Sequence, residues 1–503
     1  MQFYFFLSIS ILLLSACSNE KSGISEHNNT STTIIQENNT TKEANNTVTA
    51  DSQAPKIKIK DDVILYVKLN SIYKDPGAIA TDNKDANVAV SMQSDLDTSI
   101  EGTYNIVYHA TDSSGNTSSA TRKVIVQNLP FKLLVDTSKD GNSSHTEFKI
   151  PIDKRARYSY DVDCNDDGTA EATDVTGSYT CIYEKEGRYV VSIKGVFPSI
   201  HFYRGRVDQN NSDSLKVIEI PQWGNIVWKS MYRAFYGCRN MHITATDKPN
   251  LSHVETMKEM FAYASSMNEN IEDWNVSNVK DMSYTFRDAL SFNTPLAKWD
   301  VSKVNNMSYT FYNTISFNQH LNSWDVSHTQ NMQSMFGRAF SFNRPLAKWN
   351  TSRVHNMSQM FTHAYNFNQS IESWDVSRVM TMQNMFNYAK SFDKPIGTWS
   401  VSRVTTMRGM FNNAYNFDQD ISSWDTHNVR DTSYMFLAAR AFDQDIGAWN
   451  MGKVIQMRRM FYDARAFFND LSEWKVSQVT NYSDFAKYSP LEYESVLLPH
   501  FGQ

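Results

Sequence analysis

Nine tryptophans stand 25 residues apart without a slip: Trp274, Trp299, Trp324, Trp349, Trp374, Trp399, Trp424, Trp449 and Trp474. Only a repeat architecture holds one residue type at a fixed period over so long a run. Other columns keep the same register. Leu or Ile lies three residues before each Trp, Val mostly five after, Met mostly eight after, Phe twelve after all but the last, Ala mostly fifteen after and Phe mostly eighteen after. No single unit of this kind can bury its apolar side chains alone, so neighbouring units must stack, and the columns become ladders. Strand pairing would set successive units about 4.8 Å apart.

Two spacings coexist within a unit. Val279, Met282, Phe286 and Ala289 are three, four and three apart, which predicts one face of a helix of about ten residues. Ser277, Ser302, Ser352, Ser377, Ser402 and Ser477 stand where an N-cap is expected. Leu296, Trp299 and Val301 show the L-x-x-L-x-L spacing of a leucine-rich-repeat strand. Each unit is therefore expected to run strand, turn, helix, turn. Ile220, Trp223, Trp228, Met231, Phe235, Cys238 and Met241 fit one earlier unit. Leu251, Val254, Met257, Phe261, Ala264 and Met267 fit another, and the pattern decays after Val479. The expectation for residues 198–503 is an α/β leucine-rich-repeat-type solenoid of about 11 coils with caps.

The 503-residue chain is long enough for several domains. Residues 55–128 alternate as strands in Lys56–Ile59, Val88–Val90, Tyr104–Tyr108 and Val124–Val126, separated by turn signals such as Asp75-Pro76-Gly77 and Ser114-Gly115-Asn116. That pattern predicts a β-sandwich. Residues 129–197 predict a second one. Cys164 and Cys181 fall on neighbouring strands there and form either a disulfide or two buried thiols. Cys238 takes a small-residue place in its repeat and is expected to be a buried free thiol. Asp163, Asn165, Asp167 and Asp174, with Gly168, match the spacing of a calcium loop. A polar hairpin turn bonding to its own amides fits the same residues, so calcium is the one cofactor in question.

Residues 2–16 are mostly apolar and end in Leu14-Ser15-Ala16-Cys17. The run is too short to span a membrane and is read as a signal peptide over 1–16. The Cys thiol would accept lipid, the other reading being a secretory signal with a chance Cys; there is no Lys or Arg before the apolar run. Residues 17–54, rich in Asn, Thr, Ser and Glu, have too little apolar surface to fold and should be a disordered tether.

Several strings then carry resemblances. Residues 73–83 (YKDPGAIATDN), 102–116 (GTYNIVYHATDSSGN) and 122–126 (RKVIV) resemble a bacterial immunoglobulin-like spacer domain. Residues 158–177 and 183–195 are similar to the strand–turn–strand pattern of PKD-type sandwiches. Strings such as WNVSNVKDMSYTF (274–286) and MFNNAYNFDQDISSWD (410–425) resemble the BspA-like leucine-rich-repeat surface proteins. That resemblance implies a surface lipoprotein with an adhesive or host-contact role, and it brings no catalytic residues with it.

No metalloprotease, hydrolase or phosphate-loop motif appears, so no enzyme is expected. The net charge of -6 argues against a nucleic-acid partner, which would need a basic stripe. The residue after each Trp is mostly acidic or amidic: Asn275, Asp300, Asp325, Asn350, Asp375 and Asp425. Three further on stand Lys303, Arg353, Arg378 and Arg403. These columns are either a solvated polar ladder or an outward strip for a protein or glycan ligand. The function expected is a lipid-anchored binding or adhesion protein at the bacterial cell envelope, the outer membrane or cell surface. The alternative is a structural, self-associating envelope component.

Overall fold

The computed structural model describes residues 51–203 and 212–502. Cys17, the apolar run before it and nearly all of the polar stretch after it lie outside the described residues. Ala54–Gln503 forms one compact unit; of the preceding unit, Met1–Gln53, only the last three residues are described.

The first domain uses six strands: β1 Lys56–Ile59, β2 Ile64–Lys68, β3 Ala78–Thr81, β4 Val90–Ser94, β5 Gly102–Thr111 and β6 Thr117–Gln127. One sheet is ordered β2-β6-β5-β4, and β1 pairs with β3. Alternation along β5 and β6 turns Ile106, Tyr108, Val124 and Val126 inward, where with Val67 they make a small core. Beside it lies a buried polar knot. Arg122, fully buried, pairs with Asp75 at 2.8 Å. Tyr108 OH and Tyr73 OH donate to the same carboxylate at 2.6 and 2.9 Å, and the Gly77 amide donates at 2.8 Å. Burial alone would raise the Asp75 pKa, but these donors and the guanidinium overcome it and hold the carboxyl below its usual value.

The second domain is built from β7 Phe131–Asp136, β8 Glu147–Lys149, β9 Ser159–Asp163, β10 Ala172–Val175, β11 Thr180–Ile182 and β12 Arg188–Val196. Its main sheet does not stop at residue 197. Strand β13 Val217–Gln222 pairs antiparallel with β7, and β14 His242–Ile243 pairs parallel with β13, giving the order β10-β9-β12-β7-β13-β14. The sheet thus leads straight into the first repeat, and one hydrophobic core runs from Phe131 to Leu491. Trp228 meets Phe131 edge-on at 5.1 Å at this joint. Gly224 sits there at φ +64°, so close to the Leu129 and Pro130 carbonyls that no Cβ would fit. The Lys216 ammonium is caged by the carbonyls of Ser143, Ser144 and Glu147 at 2.7–3.1 Å and by the Ser143 hydroxyl at 2.8 Å.

The repeats correct the sequence-based expectation. No α-helix forms among the described residues, and no strand forms over Leu296–Val301. The α/β leucine-rich-repeat-type solenoid is not what this sequence makes. Each coil is instead a succession of tight turns. In the coil of Trp299, i to i+3 hydrogen bonds close Leu296–Trp299, Val301–Val304, Met307–Thr310, Tyr309–Tyr312, Phe311–Thr314 and Thr314–Phe317. Coils meet in a row of isolated parallel bridges running from Thr256 through Asp281, Asn306 and Asn331 to Asn481.

The segment expected to be helical has a complete backbone account of another kind. The amides of Met307, Tyr309, Phe311 and Asn313 donate to Asn331, Gln333, Met335 and Gly337 of the next coil at 2.7–2.9 Å. Those of Thr310, Tyr312 and Thr314 donate three residues back, and that of Ser308 donates to Asn306 Oδ1. Every second donor thus points along the stack. This geometry puts Tyr309 and Asn313 at φ +57° and +56°, and the equivalent two positions repeat it in coil after coil. A left-handed non-glycine residue costs about 1–2 kcal/mol.

Ring spacing explains why this wins. Phe286, Phe311, Phe336, Phe361, Phe386, Phe411 and Phe436 stack at 5.6–5.7 Å. Against this ladder, with Phe and Trp centroids 6.1–6.4 Å apart, Trp349–Trp374 and Trp424–Trp449 stack at 6.1 Å and Trp449–Trp474 at 6.5 Å. Both ladders thus run at ring-contact spacing, whereas packed helices need about 8–10 Å between axes. A short helix, marginal by itself, would break the Phe ladder. The indoles add a polar staple: each Nε1–H from Trp299 to Trp474 donates to the Leu or Ile carbonyl 28 residues earlier, at 2.8–3.2 Å. Phe could fill that space but could not make the bond.

Candidate functional site

With Met, Phe and Ala turned inward, the turn segment leaves its residues ten, thirteen, fourteen and sixteen after each Trp partly exposed, except at the buried Ser334, Gly337, Thr362, Gly409 and Ala438. The left-handed residues are the tenth and fourteenth, so the strained backbone aims this strip. Strain of this sort persists only where surrounding packing fixes it.

The strip is rich in tyrosine and cations. Near its start Arg287 lies 5.4–5.9 Å from the ring centroids of Tyr263, Tyr284, Tyr309 and Tyr312, and Tyr284 stacks on Tyr309 at 4.6 Å. A shallow pocket of about 160 Å³ opens there between Tyr236, Lys258, Glu259, Tyr263, Tyr284 and Arg287. Further along, Phe340 stacks on Tyr365 at 4.8 Å. Lys390 lies over Tyr365 at 4.7 Å and over Tyr415 at 5.6 Å, and Arg440 lies over Tyr415 at 5.1 Å. Arg408 and Arg458 both lie over Tyr434, at 4.7 and 5.9 Å. His363 stacks on Tyr388 at 4.6 Å. Its pKa is lowered by burial and then by Arg338 and Lys390, which marks a positive local field. Tyrosine and arginine together are the side chains that most often dominate recognition surfaces.

The columns singled out from sequence lie elsewhere on the coil. Asn275, Asp300, Asp325, Asn350, Asp375 and Asp425 are exposed, and in each an Oδ1 accepts the backbone amide two residues on, at 2.9–3.2 Å. The side chain and amide of Ser327 hold the Asp325 carboxyl below its usual value, and Ser377 does the same for Asp375. These residues build the corner after the Trp. Lys303, Arg353, Arg378 and Arg403 are exposed beside them, with Lys303 Nζ on Asn278 Oδ1 at 2.7 Å. A third polar column links coils: Asn293 Oδ1 accepts the Asn318 amide, Asn318 that of Asn343, and Asn343 that of Asn368, at 2.8–3.0 Å.

Cys164 and Cys181 are joined as a disulfide, their Cα atoms 5.6 Å apart. Cys238 is buried, and burial pushes its thiol pKa well up. In the loop after β9, Asp163 accepts the amides of Asn165, Asp166 and Asp167 on Oδ1 and that of Gly168 on Oδ2. Asn165 Oδ1 accepts the Asp167 amide, and Asp167 Oδ1 accepts that of Thr169. Asp174, on β10, accepts the Ser159 hydroxyl at 3.3 Å. The loop's side-chain oxygens thus bond to its own amides, and Asp174 is tied to the neighbouring strand.

Sequence reasoning passed over the tyrosine strip because a helix would have scattered these positions over its solvent side. The signal was present: Tyr284, Tyr309 and Tyr434 recur ten after Trp, and Tyr365 and Tyr415 recur sixteen after it.

Residues 57–126 match the Ig-like domain of bacterial surface proteins. With the repeats, this defines the class: a bacterial surface repeat protein carrying an Ig-like domain. Residues 229–347, 320–414 and 393–491 match the family described as "Mycoplasma protein of unknown function, DUF285". Together they cover more than half of the chain, and the protein belongs to that family. No curated protein matches. Among solved structures, a Clostridium perfringens ZmpB fragment, its second CBM51 domain in complex with GlcNAc and its INT domains, is 16% identical with a TM-score of 0.13. The match covers 28% of this chain and 44% of that one. A Bacteroides thetaiotaomicron lipoprotein is 14% identical over 28% of this chain and 100% of that one, with a TM-score of 0.15. Likeness at this level carries no argument.

Proposed function

We propose that this protein is a lipid-anchored binding or adhesion module of the bacterial cell surface, held through Cys17 and engaging a protein or glycan partner along the tyrosine and arginine strip. The observation that carries the reading is the strip itself. Large rigid rings and cations recur in many coils on one partly exposed face, a face that the core ladders do not require. The Ig-like domain of bacterial surface proteins and the repeat family support the surface location. The reading includes no catalytic role.

Self-association remains the competing idea, and the stack argues against its simplest form. The alternate amides of the turn segments point toward the C-terminal end, and the carbonyls that accept them point toward the other. At that other end, the Phe202 amide caps Arg233 O and His201 Nδ1 caps Tyr232 O, both at 3.1 Å. End-to-end joining of copies would have to displace this cap. Protease shaving of intact cells, followed by a glycan and extracellular-matrix array with the released protein, tests the proposal. Array binding that is lost with Tyr284→Ala and Tyr309→Ala supports it. Protection from shaving, or binding indifferent to the strip, refutes it.

A further inference from the structure

The strip is not uniform. From Gln333 to Arg465 the strip, with the column beside it nine after each Trp, holds seven cations (Arg338, Lys390, Arg408, Arg440, Arg458, Arg459 and Arg465) against one carboxylate of its own, Asp463, in a chain of net charge -6. Two flanking carboxylates pair with it: Asp431 with Arg408 at 3.7 Å and Asp484 with Arg459 at 2.9 Å. Asp463 bonds both Arg440, at 3.1 Å, and Arg465, at 2.7 Å, and so neutralises only one of the two. Lys390 has no carboxylate within ion-pair distance among the described residues.

The rings here are not free platforms. Tyr365 is packed by Phe340 and Lys390, Tyr415 by Lys390 and Arg440, and Tyr434 by Arg408 and Arg458. A base or an uncharged sugar needs an open π-face for stacking, and these are occupied. The tyrosines instead hold cations in rank, attracting each through the ring quadrupole. What faces outward is a line of positive charge edged by phenol hydroxyls.

The rank also has a pitch. Lys390 and Arg440 flank Tyr415 from the coils on either side, two coil spacings or roughly 10 Å apart. That is close to one disaccharide of a linear glycan. Same-side residues of an extended peptide recur at about 6.6–6.8 Å and fall out of step.

We propose that the segment from Arg338 to Arg465 binds a linear anionic polysaccharide, one bearing a sulfate or carboxylate on each disaccharide. This rests on the strip being the recognition face and adds the ligand class.

The test titrates the full-length protein with heparin, hyaluronan, poly-glutamate and single-stranded oligo-dT, at low and physiological salt. Expected are binding of a polysaccharide that weakens with salt, a loss of about tenfold in Lys390→Glu/Arg440→Glu, and a similar loss in Tyr415→Leu, which keeps both charges but removes their spacer. Lys303→Glu on the other face serves as the fold and charge control and should change little. Poly-glutamate or oligo-dT binding as tightly as either polysaccharide overturns the inference, as does a loss equal in Lys303→Glu. If no polysaccharide binds but a matrix protein does, and the Tyr284 and Tyr309 variants abolish that, the ligand class fails while the proposed function stands. If no variant on the strip alters any binding, both fail.

Discussion

The Ig-like domain and the repeats bury their chains by different means. The Ig-like core contains five buried residues, and it leans on a fully buried Arg122 tied to Asp75, Tyr73 and Tyr108. The repeats have hardly any buried charge; their apolar columns continue from coil to coil, and polar groups enter only to staple neighbours. One region is thus specified by a single polar knot that must be complete. The other is specified by redundancy, with the same contacts made many times.

Trp349→Ala tests the redundant region most severely. It removes a buried indole stacked on Trp374 at 6.1 Å and bonded to Leu321 O at 2.8 Å. A loss of about 3–5 kcal/mol is expected in chemical denaturation, with the Ig-like transition unmoved. Arg122→Met breaks the knot and leaves Asp75 buried among the tyrosines. A comparable 3–5 kcal/mol is expected, confined to residues 55–128 and read as earlier proteolysis there. A single shared transition for both variants would dissolve the contrast.

Acid sharpens it. The folded Asp75 pKa lies below its unfolded value near 3.9, so its contribution is complete above about pH 4 and is lost as pH falls through the depressed value. The Ig-like domain should therefore begin to loosen below about pH 4 in near-UV circular dichroism, ahead of the repeats. Cys164→Ala/Cys181→Ala should cost about 3 kcal/mol, as expected for a bridge closing a loop of this length. Reductant should mimic it in a thermal melt.

Asn384→Gly has the smallest effect and a decisive sign. Asn384 sits at φ +54°, and the coil that follows has Gly409 at the same place. Glycine there should stabilise by about 0.5–1 kcal/mol in the left-handed turn. In the helix that the spacing suggests, it would destabilise by about as much.

The repeat, its period and its inward columns were legible in the sequence. The secondary structure within each unit was not. Val279, Met282, Phe286 and Ala289 do share an inward face, and a three-four-three spacing cannot distinguish a helix from successive turns that return to the same side. A better clue was the row Asp281, Asn306, Asn331 and Asn356, whose Oδ1 atoms accept the amide two residues on; such side chains favour turns over helices. The Asp300 and Asp325 column was rightly exposed but builds corners, which only the hydrogen-bond geometry reveals.

The sequence alone determined that 25 residues make one coil and which side chains every coil must hide, because an unbroken aromatic period has no other physical outcome. The tertiary structure decided the backbone path. Half of the turn segment's amides find partners only in the next coil, and the adjoining Phe and Trp ladders demand ring-contact spacing between coils, so neither condition can be met or read within one unit. That shared choice also decided which residues face outward, and with it the cation and tyrosine strip.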